Sequence, residues 1–285
     1  MSLTLYLADW FRRLSPFTGT TLPHVATYTR ELPVSMARMY ENAIDGDHLP
    51  WLHRETFTDM TISESDNTGW RGQGYLQPRS FTTWMELELR LDRENHRWIT
   101  TTTRGLGKGS QVITHAIPLA ENRIKVVVDF YVPKLPKALH KMYGKQLVDT
   151  YTRLYDQDLE MMRTRQRALD IAASAQPDSN PARIVLGNRT GLDSQLPLQF
   201  ELAGRPYRLV RIGDKLVAHA STCPHRLGPL QDAKVVDGQV ECPWHGYRFN
   251  VISGECTSGQ HGQLPLAPVI SIDNDEVVAS SEENV

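Results

Sequence analysis

The sequence predicts an α+β domain followed by a small all-β domain. Residues 68–133 contain five successive runs that alternate apolar and polar side chains or are rich in β-branched residues, as expected for long strands. An amphipathic run at 136–172 predicts one long helix after them. From residue 184 onward the apolar runs are short and are separated by turn signals such as Asp237-Gly238. A sheet closed by a long helix leaves room for a ligand cavity.

A stretch without periodicity separates the two patterns. Its sequence at 172–183, "AASAQPDSNPAR", is rich in Ala, Ser, Asn and Pro and is typical of a linker. We therefore expect a first domain at 1–172, a linker at 173–183 and a second domain at 184–285. The 285 residues are enough for two domains with separate cores.

The composition narrows the function classes. The chain is 40% hydrophobic and 22% charged with a net charge of −2, so nothing indicates a nucleic-acid partner. No apolar run has the length of a membrane span and no signal-peptide pattern is visible. Three cysteines in a chain of this length do not make a disulfide scaffold, so we expect a cytoplasmic protein. The opening "MSLTLYLADWFRRLSPF" has an apolar helical face. It predicts a helix docked on its own domain or a neighbouring subunit, with weak membrane-surface contact as the alternative.

Two cysteine–histidine pairs stand in the second domain. "CPHRLGPL" places Cys223 two positions before His225, and "CPWHGYRF" places Cys242 three positions before His245. Two thiolates and two imidazoles on two loops could bind zinc tetrahedrally or hold a [2Fe–2S] cluster. Both pairs lie among short strands, and the helix that usually follows the histidines of a zinc finger is not visible in the pattern. The pattern therefore favours the iron–sulfur cluster.

These motifs resemble those of a Rieske domain. The resemblance implies a [2Fe–2S] cluster with Cys223 and Cys242 on one iron, and His225 and His245 on the other. Rieske proteins of respiratory complexes carry an additional disulfide between the two loops. Gly228 and Trp244 occupy the corresponding positions here, so that bond is expected to be absent. The resemblance is therefore to the oxygenase or ferredoxin type.

A second histidine pair lies in the first domain, in "NAIDGDHLPWLH" at 42–53. On an undistorted helix His48 and His53 would point about 140° apart and could not share a metal ion. Pro50 removes a helical hydrogen bond and is expected to redirect the chain so that the two rings converge. Non-haem iron(II) sites that activate oxygen use two histidines and one carboxylate, so a carboxylate must come from elsewhere.

Asp158 is the expected third ligand. It falls in the apolar stripe of the predicted long helix, where an ionised carboxylate is costly unless it is paired or bound to a metal. The alternative is a core aspartate hydrogen-bonded to a tyrosine or an arginine. Asp45 lies one helical turn before His48 and is expected to accept the second N–H of a ligand histidine. Asn42, one turn further back, is expected to face the same pocket.

"ENAIDGDHLPWLH" followed by "QDLEMMRTRQ" resembles the catalytic domain of Rieske non-haem iron oxygenases of the α-subunit type. The resemblance implies a helix-grip (START-like) fold, with Fe(II) bound by His48, His53 and Asp158. It also implies catalytic roles for Asn42 and Asp45, with Asp45 linking an iron ligand to a Rieske histidine. In the usual family order the Rieske domain comes first, and here the order is reversed.

The resemblance implies O₂-dependent monooxygenation, dioxygenation or demethylation of a small apolar or aromatic substrate. Its cofactors would be a [2Fe–2S] cluster and mononuclear Fe(II), with NAD(P)H-derived electrons arriving through a reductase, with or without a ferredoxin. Family members form homotrimers in which the cluster of one subunit serves its neighbour. The first alternative is a non-enzymatic Rieske electron carrier or redox-responsive ligand-binding protein with a START-like pocket, and the second is a zinc-binding interaction module. Residues expected near the cavity, on a face that alternation does not specify, are Trp84, Thr101, Thr103, His115 and Phe130.

Overall fold

The computed structural model describes residues 22–174 and 182–281. The chain divides into two compact units, residues 1–162 and 163–285. The expected N-terminal docking helix and most of the expected linker lie outside the described residues, and the domain boundaries given above stay a prediction. Among the helices of the described ranges, none is long and apolar enough to cross a membrane.

One seven-stranded antiparallel sheet forms the framework of the first unit. Its strands are β1 His24–Leu32, β2 Phe57–Asp66, β3 Gly69–Leu76, β4 Trp84–Asp92, β5 Arg97–Gly105, β6 Gln111–Ala120 and β7 Arg123–Tyr131. Their order in the sheet is β1-β7-β6-β5-β4-β3-β2. The alternation at 68–133 predicted β3 to β7, but it did not include β1 or β2. These two strands form the edges of the sheet, where register shifts interrupt their pairing.

The helices that begin in the first unit differ greatly in length. Helix α1 (Met36–Ile44) begins at Ser35, whose hydroxyl accepts a hydrogen bond from the Arg38 backbone N–H as an N-cap. Helix α2 (Leu49–Leu52) is a single turn, whereas α3 (His140–Ser174) has 35 residues. The amphipathic pattern at 136–172 predicted α3.

Helix α3 packs against the sheet and completes the hydrophobic core. Tyr155 and Met162 are buried, and the Tyr151 ring lies edge-on to Phe130 with 4.7 Å between centroids. At Gly144 the helix comes so close to β1 that an added Cβ would lie 2.9 Å from the Cβ of Ala26. A large antiparallel sheet holding one long helix is the helix-grip arrangement, so the predicted α+β class is confirmed.

The second unit contains small sheets and short connections. Its elements are β8 Arg183–Asn188, α4 Arg189–Leu192, β9 Leu198–Leu202, β10 Arg205–Ile212, β11 Lys215–Ala220, β12 Val235–Val236, β13 Gln239–Glu241, β14 Arg248–Asn250, β15 Val269–Asp273 and β16 Glu276–Ser280. The strands form three three-stranded sheets, β11-β10-β9, β12-β13-β14 and β15-β16-β8. The small all-β domain is therefore confirmed.

Candidate metal centres

The segment that carries His48 and His53 is not one kinked helix. Helix α1 ends at Ile44, and the backbone leaves helical geometry at the C-cap residue Asp45 (φ −90°, ψ 80°). A 3₁₀ turn at Gly46–His48 follows, and α2 then starts afresh. Pro50 stands in the first turn of α2, where its missing N–H would have had no helical partner. The expectation that Pro50 redirects a helix is therefore wrong in its detail, because the break precedes the proline.

The two short turns and α3 bring three side chains together. The Nε2 atoms of His48 and His53 lie 3.5 and 3.0 Å from Asp158 Oδ1, and the two rings are 5.1 Å apart. Their three potential ligand atoms lie within 4.8 Å of one another, and all three residues are buried. For a first-row metal at about 2.1 Å from each ligand, neighbouring donors lie roughly 3.0–3.4 Å apart. The spacing thus fits one ion.

Two amide side chains form hydrogen bonds with this group of three residues. Asn42 Nδ2 donates a 3.0 Å hydrogen bond to Asp158 Oδ1, so Asn42 does face the pocket. Gln157 Oε1 lies 2.7 Å from His53 Nδ1, on the opposite side of the ring from Asp158. Gln157 was not among the residues that the sequence singled out. Its position next to Asp158 was the available signal, but a polar side chain at one edge of an apolar stripe is common.

Asp45 is buried, at 8% exposure, and lines the same cavity as His48. The Nδ1 atom of His48 is buried and has no hydrogen-bond partner among the described residues, so Asp45 does not accept a hydrogen bond from it. The role of Asp45 as a link to a Rieske histidine stays a prediction.

The charges around His48, His53 and Asp158 favour a bound cation. Burial alone raises the pKa of Asp158, but the charge of His53 and hydrogen bonds from both histidines outweigh burial and hold it well below its ordinary value of 3.8. Burial lowers the pKa of His53, but the charge and hydrogen bond of Asp158 and the contact with Gln157 raise it above 6.5 overall. A positive charge between Asp158 and His53 is therefore favoured, and a divalent metal ion can replace that proton.

His48, His53 and Asp158 line a cavity of about 470 Å³ that belongs wholly to the first unit. Each strand residue that lines the cavity is uncharged, and many are apolar: Phe57, Trp70, Leu76, Met85, Leu87, Leu89, Trp98, Val112 and Phe130. A cavity of this size and lining fits a small apolar ligand.

Four of the five residues expected near the cavity do not line it. Phe130 does, whereas Trp84, Thr101, Thr103 and His115 are absent from its lining. Successive side chains on a strand point to opposite faces, so a shift of one residue exchanges the two sets.

The second candidate centre is built on two loops of matching form. One follows β11 and the other follows β13. In the first, Cys223 N–H donates to Gly228 O at 2.8 Å and Leu227 N–H donates to Cys223 O at 3.0 Å. In the second, Cys242 N–H donates to the Tyr247 carbonyl at 2.8 Å, and the Gly246 N–H returns to Cys242 O at 2.9 Å. The backbone N–H and C=O of each cysteine are thus both hydrogen-bonded within its own loop.

The four expected cluster ligands converge. Cys223 and Cys242 are each 1% exposed, and the rings of His225 and His245 are 4.6 Å apart. His245 is buried and His225 is exposed, with Tyr247 stacked on His225 at 4.3 Å. This arrangement presents one histidine edge to solvent and keeps both thiols inside.

Two further observations fit an iron–sulfur cluster at this position. An added Cβ at Gly228 would lie 2.7 Å from Cys242 Sγ and 3.1 Å from the Trp244 ring, so the loop leaves space for no side chain. A hydrogen bond with Cys242 and burial raise the pKa of Cys223, whereas the hydrogen bond from Cys223 lowers the pKa of Cys242 below its ordinary value. This asymmetry favours the thiolate form of Cys242, and thiolate is the form that binds iron. Cys223, Cys242 and Cys256 are all free thiols.

Comparison with known proteins agrees with this second centre. Residues 183–268 match the family model of the Rieske [2Fe-2S] domain. The chain is 39% identical over 70 residues to the oxygenase component of dicamba O-demethylase from Stenotrophomonas maltophilia, covering 24% of this chain and 20% of that protein. It is 31% identical over 80 residues to ferredoxin CarAc from Metapseudomonas resinovorans, covering 28% of this chain and 64% of the ferredoxin.

The matched segment thus spans about a fifth of the demethylase. Among solved structures, norcoclaurine synthase from Thalictrum flavum has 16% identity and a TM-score of 0.39, covering 50% of this chain and 88% of that one. The strand order of the seven-stranded sheet and the long helix α3 define the helix-grip fold of this chain.

The chain therefore contains a Rieske [2Fe-2S] domain at residues 183–268. More particularly, this domain follows a helix-grip domain, which is the reverse of the usual order in Rieske oxygenases, and the relatives of the Rieske segment include such oxygenases. The predicted Rieske domain and its position after the helix-grip domain are confirmed.

Proposed function

We propose that this chain is the oxygenase component of a Rieske-type system. It would monooxygenate, dioxygenate or demethylate a small apolar or aromatic substrate with O₂. The observation that carries the proposal is the convergence of His48, His53 and Asp158 at an apolar cavity, in a chain that also has a Rieske domain. Two imidazoles and one carboxylate form the ligand set that holds Fe(II) and leaves positions open.

The residues of the first unit have distinct proposed roles. His48, His53 and Asp158 would hold Fe(II), which supplies oxygen activation when it is bound. Asn42 fixes Asp158 Oδ1 through its amide N–H. Burial and the nearby Asp158 raise the pKa of Tyr155 well above its ordinary value, so this phenol stays protonated at neutral pH. The apolar cavity walls bind the substrate and exclude water.

The second unit would supply electrons. Cys223 and Cys242 would hold one iron of the [2Fe–2S] cluster, and His225 and His245 the other, which provides one-electron transfer. His225 is the exposed ligand, so an external donor can approach on its side. We propose a reductase fed by NAD(P)H, with or without a ferredoxin, as that donor. We also keep the homotrimer and the linking role of Asp45 as proposals.

Metal analysis and a substrate screen test this function together. The purified protein should contain about three irons per chain, two in the cluster and one in the mononuclear site. With a surrogate reductase and a panel of apolar and aromatic compounds, a substrate should couple oxygen uptake to a product of altered mass. Asp158→Ala should retain the cluster but lose the third iron and the product. Full activity of this variant would refute the proposal.

An electron carrier is the second candidate, because the matched relatives cover the Rieske segment and one of them is a ferredoxin. It predicts about two irons per chain. It also predicts unchanged electron transfer to an acceptor protein after His48→Ala. About two irons per chain in the parent protein, unchanged electron transfer in His48→Ala and no product with any substrate would favour this candidate.

A further inference from the structure

Two consecutive residues of α3 hold opposite nitrogens of one imidazole. Asp158 Oδ1 lies 3.0 Å from His53 Nε2, and Gln157 Oε1 lies 2.7 Å from His53 Nδ1. The ring itself is 2% exposed. His48 differs, because its Nδ1 has no hydrogen-bond partner among the described residues. The structure thus provides a dedicated support for one of the two histidines.

We propose that Gln157 is a positioning residue that presents His53 Nε2 to the metal ion. This inference rests on the proposed iron site. The amide oxygen can only accept, so the facing Nδ1 carries the proton and Nε2 is the nitrogen left to bind a cation. Nε2 is also the nitrogen that faces Asp158 and lies on the side of His48. One side chain therefore selects both the tautomer and the orientation of the ring.

The neutral amide also sets the charge of the site. Two neutral imidazoles and one carboxylate leave a single positive charge on a bound divalent ion. A carboxylate in place of Gln157 would accept the same Nδ1–H but would add a second negative charge and raise the basicity of His53. Glutamine thus orients the ring without that increase. Partners of metal-bound histidines typically change metal affinity by about 10- to 100-fold when they are removed.

The test uses Co(II) as the probe on holoprotein that retains its [2Fe–2S] cluster, after a chelator has emptied the mononuclear site. Gln157→Leu removes the acceptor, Gln157→Asn keeps an amide that is too short to reach, and Gln157→Glu keeps an acceptor of equal length. Gln166→Leu is the matched control on the same helix, because Gln166 donates a hydrogen bond to Asp170 and not to a residue of the mononuclear metal site. Equilibrium dialysis gives the Co(II) affinity. Proton NMR of the Co(II) form shows whether a hyperfine-shifted imidazole N–H exchanges slowly with solvent.

We expect Gln157→Leu and Gln157→Asn to weaken Co(II) binding by about 10- to 100-fold and to lose the slowly exchanging N–H signal of His53. Gln157→Glu should restore the signal with an affinity no weaker than that of the parent. A merely structural role would not make the signal depend on an acceptor at this position. Parent affinity and a retained signal in both the leucine and the asparagine variants would overturn the inference.

A further variant separates this inference from the proposed function. If Asp158→Ala binds Co(II) as tightly as the parent, the metal site of the proposed function fails, and the role of Gln157 fails with it. If Asp158→Ala loses Co(II) while Gln157→Leu does not, the site stands and the role of Gln157 alone is wrong.

Discussion

Substitution of Gly228 by alanine should remove much of the iron–sulfur cluster. The added Cβ would lie 2.7 Å from Cys242 Sγ and 3.1 Å from two carbons of the Trp244 ring. Non-bonded heavy atoms need roughly 3.5–4 Å, so the cysteine sulfur must move by roughly 1 Å. Metal-site distances tolerate about 0.2 Å. The required movement is several times larger, so the loops cannot accommodate the methyl group and keep the ligand positions.

The assay is iron and acid-labile sulfide per chain, with the EPR spectrum of the reduced protein. We expect substantially less of each in Gly228→Ala and a cost of about 1–3 kcal/mol in folding free energy, as for other overpacked sites. Gly191→Ala is the matched control, because an added Cβ there has no neighbour within 4 Å. Full iron and sulfide content with an unchanged EPR spectrum in Gly228→Ala would refute the steric reasoning.

Three further predictions concern stability and substrate range. In metal-free protein the Asp158–His53 pair should stabilise the folded state most between the ordinary pKa values of the two groups, 3.8 and 6.5. Because folding lowers the pKa of Asp158, its contribution is lost as the pH falls through the pKa of Asp158 in the folded state. Because folding raises the pKa of His53, its contribution is lost as the pH rises through the pKa of His53 in the folded state. Urea unfolding of parent and Asp158→Asn at about pH 5 and pH 8 checks this, and an equal difference at both would contradict it. Arg208→Met removes the hydrogen bonds from Arg208 to the Leu230 and Ala233 carbonyls in the loop that follows Cys223. The visible absorption of the iron–sulfur cluster should therefore bleach faster on heating, and an unchanged bleaching rate would show that Arg208 does not hold this loop. Phe130→Ala should cost about 3–5 kcal/mol of unfolding free energy and admit bulkier ligands, because the ring is 1% exposed and lines the cavity. Denaturant unfolding measures the cost and ligand titration measures the change in ligand size. A cost below about 1 kcal/mol would refute the prediction.

Local spacing was enough to predict the cluster loops. Each loop contains one cysteine and one histidine within four residues, and each turn is closed by its own backbone hydrogen bonds. The geometry of the two loops is therefore encoded within a few residues. The same holds for the long helix and for strands β3 to β7, whose periodicity spans many residues.

The first candidate centre was harder to predict, because its residues come from distant parts of the chain. The apolar stripe of α3 singled out Asp158, since a buried carboxylate needs a partner. The same stripe did not single out Gln157, whose partner His53 lies 104 positions away in sequence. The wrong choice of cavity-lining residues has a similar cause, because alternation defines two faces of a strand but does not say which one is covered by a helix.

The sequence by itself determined the class of cofactor and the order of the two domains, because these depend on residue type and short spacing. It also indicated three side chains suited to bind a metal, because two are closely spaced histidines and the third is a carboxylate in an apolar helical stripe. The tertiary structure decided which sheet face lines the cavity, where the chain breaks before His48, and which side chain holds His53 from behind. Those features arise when strands pair and α3 packs across the sheet, and contacts of that kind have no fixed spacing along the chain.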